Sequence, residues 1–382
     1  MNTKCLERLT EIFNNEVSSG KLKGCSILVH HKNKKVFQQS YGTDKSNSIY
    51  RIFSMTKPIT AVATMILYER GLLDLFDPVS KYLPGFCNQT VLDEHGERPV
   101  GKEVTIQQLL NMTSGVVYPE KLYSAGAKFE EIVEQFKKEN TYPSTVEVCN
   151  LVGKAPLAFE PGQEWAYGAS ADVLGGIVEI ISGMRYGDFL KKEIFEPLGM
   201  KDTGFSIEDE KKERLVPMYK EDVDGSLVEI TKDDLANYFV VLPDTEPSYE
   251  LGGAGLFSTL ADYSKFAEML LGYGTYEEKR ILGRKTVEFI SQNQLTSEQR
   301  KSIWFDSMYG YGYGSLMRVM IDQSLAGSNG SIGEYGWDGL PGTYFMVDPK
   351  EELTLIYMQQ NLHGASLSLR RKMRQIVYSS LR

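Results

Sequence analysis

Ser54 and Lys57 are a pair whose types and spacing could do covalent chemistry. They lie in Arg51-Ile52-Phe53-Ser54-Met55-Thr56-Lys57-Pro58, where a short apolar run ends and a helix-like pattern begins. From Met55 to Gly71 the apolar residues Met55, Ile59, Val62, Ala63, Ile66 and Leu67 recur at three- and four-residue steps, which predicts a helix of about four turns ending at Gly71. Pro58 is compatible with it, because a first-turn residue has no intrahelical acceptor for an N–H. Ser54 and Lys57 then share one face, and the positive end of the helix favours a developing alkoxide on Ser54. A buried lysine that gives up its proton there could serve as a base.

A second candidate for proton transfer is Tyr167. The stretch Phe159-Glu160-Pro161-Gly162-Gln163-Glu164-Trp165-Ala166-Tyr167-Gly168-Ala169-Ser170 reads as a Pro-Gly turn ending just before a helix, so Tyr167 is expected at a helix mouth. A phenol there can act as a base if a neighbouring Lys57 ammonium favours phenolate.

Other constellations are weaker. The order Ser328, Asp348, His363 fits a Ser-Asp-His triad, but Ala326-Gly327-Ser328-Asn329-Gly330 has alanine for the first glycine of a nucleophile elbow. The Gly-rich stretch after it, with Pro341, cannot form the required helix. Asp93-Glu94-His95-Gly96-Glu97 reads as a solvated charged turn rather than a metal site. The four cysteines, Cys5, Cys25, Cys87 and Cys149, share no Cys-x-x-Cys spacing and are expected to be reduced thiols.

At 382 residues the chain exceeds one ordinary core. A net charge of −9 argues against a nucleic-acid or anionic-membrane surface. The first twenty residues carry an amphipathic stripe (Leu6, Leu9, Ile12, Phe13, Val17) with interspersed charges, and no eighteen-residue apolar run occurs, so a cytoplasmic protein without a membrane span is expected. Residues 25–31 and 35–42 read as a hairpin around Lys32-Asn33-Lys34. Helical patterns follow over 105–112, 128–138, 145–153, 171–182 and 186–197, then strand patterns over 215–219 and 227–230. After Gly252-Gly253-Ala254-Gly255 comes a helix over 259–271, strands over 310–320, 331–335, 342–348 and 353–359, and a last helix over 366–381. Strands at both ends with helices between imply an α+β fold: an antiparallel sheet built from both chain ends and flanked by helices. The expected single catalytic domain (1–382) has a sheet lobe from residues 1–75 plus 250–382 and a mainly helical lobe from 76–249, with a cleft between them.

These motifs resemble the serine β-lactamase and penicillin-binding-protein superfamily, in the branch of class C β-lactamases and family VIII carboxylesterases. Ser54-Met55-Thr56-Lys57 matches its Ser-x-x-Lys element. Thr105-Ile106-Gln107-Gln108-Leu109-Leu110-Asn111-Met112-Thr113-Ser114-Gly115, Pro161-Gly162 through Tyr167, and Gly252-Gly253-Ala254-Gly255-Leu256-Phe257-Ser258-Thr259 are similar to further family stretches. Two positions depart. Ala169 stands where the tyrosine motif of the family ends in asparagine, removing a substrate-binding amide. Trp337-Asp338-Gly339 stands where β-lactamases carry Lys-Thr-Gly, and family VIII esterases have a tryptophan at the first of these positions.

The resemblance implies a β-lactamase/transpeptidase-like fold and an acyl-enzyme on Ser54, with Lys57 and Tyr167 sharing its proton. The oxyanion would sit between the backbone N–H groups of Ser54 and Leu340. A small-molecule ester or amide substrate is expected, without metal or organic cofactor. The alternatives are a β-lactamase or D-amino-acid peptidase, which would need a carboxylate anchor, and a non-catalytic penicillin-binding sensor. Asp338 beside Trp337 is expected to repel carboxylate-bearing substrates and so to favour neutral esters.

Overall fold

The computed structural model describes residues 1–139, 143–231, 247–362 and 366–382. Its centre is a seven-stranded antiparallel sheet of β1 (Gly24–His31), β2 (Lys34–Gly42), β3 (Tyr311–Gly314), β4 (Met317–Met320), β5 (Tyr335–Asp338), β6 (Tyr344–Asp348) and β7 (Leu353–Met358). The strand order is β3-β4-β5-β6-β7-β1-β2, so the joint between the two chain ends is the β1–β7 pair, with Leu28 opposite Ile356. Successive strand side chains point to opposite faces. Accordingly Cys25, Ile27, Val29, Leu355 and Tyr357 pack under the terminal helices α1 (Thr3–Ser18) and α5 (Leu367–Ser379), whereas Leu28, Ile356, Phe345 and Val347 face the larger core on the other side. That larger core holds α2 (Thr56–Glu69), α3 (Ser170–Ser182) and α4 (Leu260–Leu271).

Helix α2 differs from the amphipathic stripe that its periodicity predicts, since every residue from Thr56 to Leu67 is buried. A helix buried on all sides must satisfy its polar side chains internally. The Thr60 hydroxyl bonds the Gly252 carbonyl at 2.5 Å and the Tyr186 hydroxyl at 2.6 Å, and Thr64 donates to the Thr60 carbonyl at 2.9 Å.

Two strand expectations are corrected. The run 310–320 is a hairpin, not one strand, because Ser315 and Leu316 both adopt positive φ (47° and 64°). Neither residue favours that conformation; partners outside the hairpin fix the turn, as Leu316 N–H donates to the Leu110 carbonyl at 2.8 Å and Ser315 N–H to Asn111 Oδ1 at 3.3 Å. The strand expected over 331–335 begins at its last residue and runs to Asp338, which puts Trp337 and Asp338 on the sheet. Asp93-Glu94-His95-Gly96-Glu97 belongs to a hairpin of Thr90–Asp93 with Gly96–Pro99, in which Arg98 pairs with Asp93 at 2.8 Å.

Where β2 ends, buried Asp44 accepts a hydrogen bond from Tyr50 at 2.8 Å, yet burial pushes its carboxyl from the usual 3.8 up to about 6. A raised carboxyl pKa gives stability that is complete below the unfolded value and is lost as pH climbs through the folded one. From this group alone, stability should fall by roughly 3 kcal/mol between about pH 4 and pH 6. Asp44→Asn should therefore gain stability relative to the wild type in denaturant unfolding at neutral pH but not near pH 4. An equal difference at both would show that Asp44 titrates normally.

Candidate active site

Ser54 lies in a 3-10 turn, Phe53–Met55, that runs directly into α2. The turn is anchored on both sides. Ile52 N–H donates to the Leu256 carbonyl at 3.1 Å, and Tyr263 of α4 donates its hydroxyl to the Met55 carbonyl at 2.8 Å. Phe53, directly before the serine, has φ of 44°, a strained value for an aromatic residue, and is held by packing against Met218, Ile230, Leu340 and Leu362.

Lys57, 0% exposed, is one turn on. Its Nζ meets Ser54 Oγ at 3.2 Å, the Tyr118 hydroxyl at 2.9 Å and the Gly253 carbonyl at 2.8 Å. An ammonium has three donors, and here each has an oxygen. Tyr118 was not singled out from the sequence. It follows the Thr113-Ser114-Gly115 stretch by three residues, and that proximity was the only available signal. Burial pushes its phenol well above the usual range, so Tyr118 serves Lys57 as a neutral hydroxyl.

Tyr167 reaches the same place by a different contact from the one expected. Lys57 Nζ lies over the face of its ring, 4.6 Å from the centroid, while its hydroxyl accepts the indole N–H of Trp337 at 3.2 Å. The ring is caged by Trp165, Phe305 and Trp337, with centroids 6.2, 5.3 and 5.7 Å away. Because Trp337 occupies one lone pair of the phenol oxygen, the proton of Tyr167 points elsewhere.

Ser54, Tyr167, Trp337, Asp338, Gly339 and Leu340 line one cleft of about 560 Å³, together with Trp304, Phe305, Leu367 and Arg370. Ala169 is apart from that lining, 5% exposed in the core as N-cap of α3. Gly339 is required by close approach: a Cβ there would overlap the Ile52 carbonyl and the Thr343 hydroxyl, which itself donates to Ile52 at 3.2 Å. The end of β5 is thereby pressed against the Ser54 turn, with Leu340 packed near Phe53.

One expectation fails on electrostatics. Asp338 accepts from Arg318 and from Arg370, each at 2.7 Å. Two guanidinium groups more than cancel one carboxylate, so Asp338 is not a source of repulsion for an anionic substrate. The Trp337 N–H is likewise spent on Tyr167 rather than offered to a ligand. Of the rejected Ser328 triad, Ser328 accepts from Arg374 Nη2 at 3.0 Å and Asp348 from Tyr378 at 2.8 Å; His363 lies outside the described residues.

Removing one acceptor of a buried ammonium should be felt in stability. Tyr118→Phe is expected to cost about 1–3 kcal/mol in denaturant unfolding, the penalty of an unmet buried donor. A cost near zero would show that Lys57 does not need that hydroxyl.

Residues 9–378 match the Beta-lactamase family. An uncharacterized Mycobacterium tuberculosis protein is 30% identical over 334 residues, 84% of this chain and 79% of that one. Esterase EstB of Burkholderia gladioli is 27% identical over 398 residues, 97% and 95% of the two chains. Among solved structures, EstCE1, described as a hydrolase with promiscuous acyltransferase activity, superposes with a TM-score of 0.83 at 23% identity, covering 98% of each chain. Among the described residues no helix is long and apolar enough to cross a membrane. With its β-lactamase/transpeptidase-like fold and a family match over nearly its whole length, the chain belongs to the Beta-lactamase family and is a serine hydrolase.

Proposed function

We propose that this serine hydrolase is a carboxylesterase that works through an acyl-enzyme on Ser54. The observation that carries the reading is Ser54 Oγ, 3.2 Å from Lys57 Nζ, opening onto the same cleft as Tyr167. Ser54 attacks the ester carbonyl while its proton passes to the Lys57–Tyr167 pair, and Tyr167 returns that proton to the departing alcohol. The backbone N–H groups of Ser54 and Leu340 receive the oxyanion, a role supported by the contact of Gly339 and Thr343 with Ile52. Water then enters by the route the alcohol leaves and hydrolyses the acyl-enzyme.

The cleft wall suits an ester with an apolar acyl chain. Trp304, Phe305, Trp337, Leu340 and Leu367 supply apolar surface for an acyl chain. At position 337 an indole stands where a lysine would offer an ammonium to a free carboxylate. Four unpaired cysteines fit a cytoplasmic setting.

Ser54→Ala should abolish turnover of a short-chain p-nitrophenyl ester and labelling by a fluorophosphonate probe, while the chain still folds and unfolds cooperatively, with a loss of stability no larger than that of Tyr118→Phe. Mass spectrometry that places the adduct on Ser328 would overturn the assignment. Lys57→Ala and Tyr167→Phe should each lower the acylation rate by on the order of 10²-fold, and the double variant should be scarcely slower than either, since the two act as a unit. Multiplicative losses, measured by pre-steady-state bursts, would separate their roles.

A further inference from the structure

We propose that Asp172 is a positioning residue for Lys57, the buried counter-charge that holds the lysine aimed at Ser54, with Gly253 as the bridge. This rests on the reading of Ser54 and Lys57 as the reacting pair. Asp172 lies in the first turn of α3, five residues after Tyr167, and is 7% exposed. Its Oδ1 accepts the Gly253 N–H at 2.8 Å, and the carbonyl of the same glycine accepts from Lys57 Nζ at 2.8 Å. Anion and cation are thus tied through one residue. Only glycine fits there, because a Cβ would come within 2.8 Å of one carboxylate oxygen and 2.9 Å of the other.

The charges around the pair support this. A buried carboxylate without a partner costs several kcal/mol, and so does a buried ammonium. Burial pushes the Asp172 carboxyl above its usual range, although the Lys57 charge and then the Gly253 N–H act against that rise. Lys57 is faced by Tyr118 and Tyr167. Near Asp172 are also Tyr186, Tyr249 and Cys149, whose thiol donates to the Asp172 carbonyl at 3.2 Å. Burial and then the Asp172 charge push Tyr118, Tyr249 and Cys149 up, and Asp172 acts in the same direction on buried Tyr186, alongside Glu250; Glu179 adds to the effect on Cys149. All of these disfavour a nearby anion, and Lys57 is the group of this set that gains from one. A second consequence is kinetic. With all three N–H groups engaged, the ammonium cannot take the Ser54 proton until the Lys57–Tyr167 pair has lost one, and the carboxylate makes that loss harder.

Asp172→Asn keeps the shape and an acceptor for Gly253 but removes the charge. In the otherwise intact chain the acidic limb of kcat/KM for p-nitrophenyl butyrate should move to lower pH by about one unit, since losing the anion lowers the pKa of the proton that must leave. A limb that superimposes on that of the wild type would overturn the proposal. A second measurement needs no activity. Thermal unfolding of Asp172→Asn, Lys57→Met and the double variant forms a cycle in which Asp172→Asn should lower Tm alone but raise it in the Lys57→Met background, where the carboxylate has lost its cation. Equal shifts in both backgrounds also overturn it. A coupled cycle together with an enzyme whose ester turnover survives Ser54→Ala would keep the Asp172–Lys57 coupling and discard the Ser54 reading.

Discussion

A lysine amine taken wholly out of water has to be given three oxygens, and the architecture of this protein around α2 follows from that demand. Ser54 Oγ, the Tyr118 hydroxyl and the Gly253 carbonyl supply them from three separate segments. Each must be held to within hydrogen-bond reach, because an unmet buried donor costs more than a made bond returns. Thr60, one turn below Lys57, adds a bond to Gly252, so α2 grips the Gly252–Gly253 backbone at two successive levels.

The same constraint explains why strain is tolerated where it is. Phe53 holds a positive φ between two anchored neighbours, Ile52 on the Leu256 and Thr343 contacts and Met55 on Tyr263. The surrounding bonds over-determine the turn, and so the Ser54 side chain is fixed at the mouth of the cleft. Preorganisation of this kind is what the proposed acyl-enzyme chemistry needs, since donors that need no reorganisation stabilise charge as it develops.

One wall of the cleft is built at the end of β5, an interior strand of the sheet. Arg318 and Arg370 hold Asp338 in place, and the Trp337 indole turns inward to Tyr167. The wall is therefore held in place by its ion pairs, and it presents to the cleft both apolar surface and the charged side chains of Asp338 and Arg370. Arg318 comes from β4 and Arg370 from α5, some fifty residues apart in sequence, and nothing in Trp337-Asp338-Gly339 itself announces either partner.

Local sequence was informative wherever chemistry depends on neighbours along the chain. The Ser54-x-x-Lys57 spacing, the start of α2 near Pro58, the hairpin at Lys32-Asn33 and the helix ends at Ser366 and Thr259 are short-range facts, set by period, capping and turn chemistry. The α+β order of elements was legible for the same reason. What the sequence could not carry were contacts between segments distant in the chain. Tyr118 rather than Tyr167 bonds Lys57, the Ser315-Leu316 turn is set by Leu110 and Asn111, and α2 is buried on every side because α3, α4 and the sheet enclose it. The charge of Asp338 was visible, but its sign of influence was not. A side chain's type is written in the sequence, whereas the field it exerts depends on which other charges folding brings within a few ångströms, and only the tertiary structure decides that.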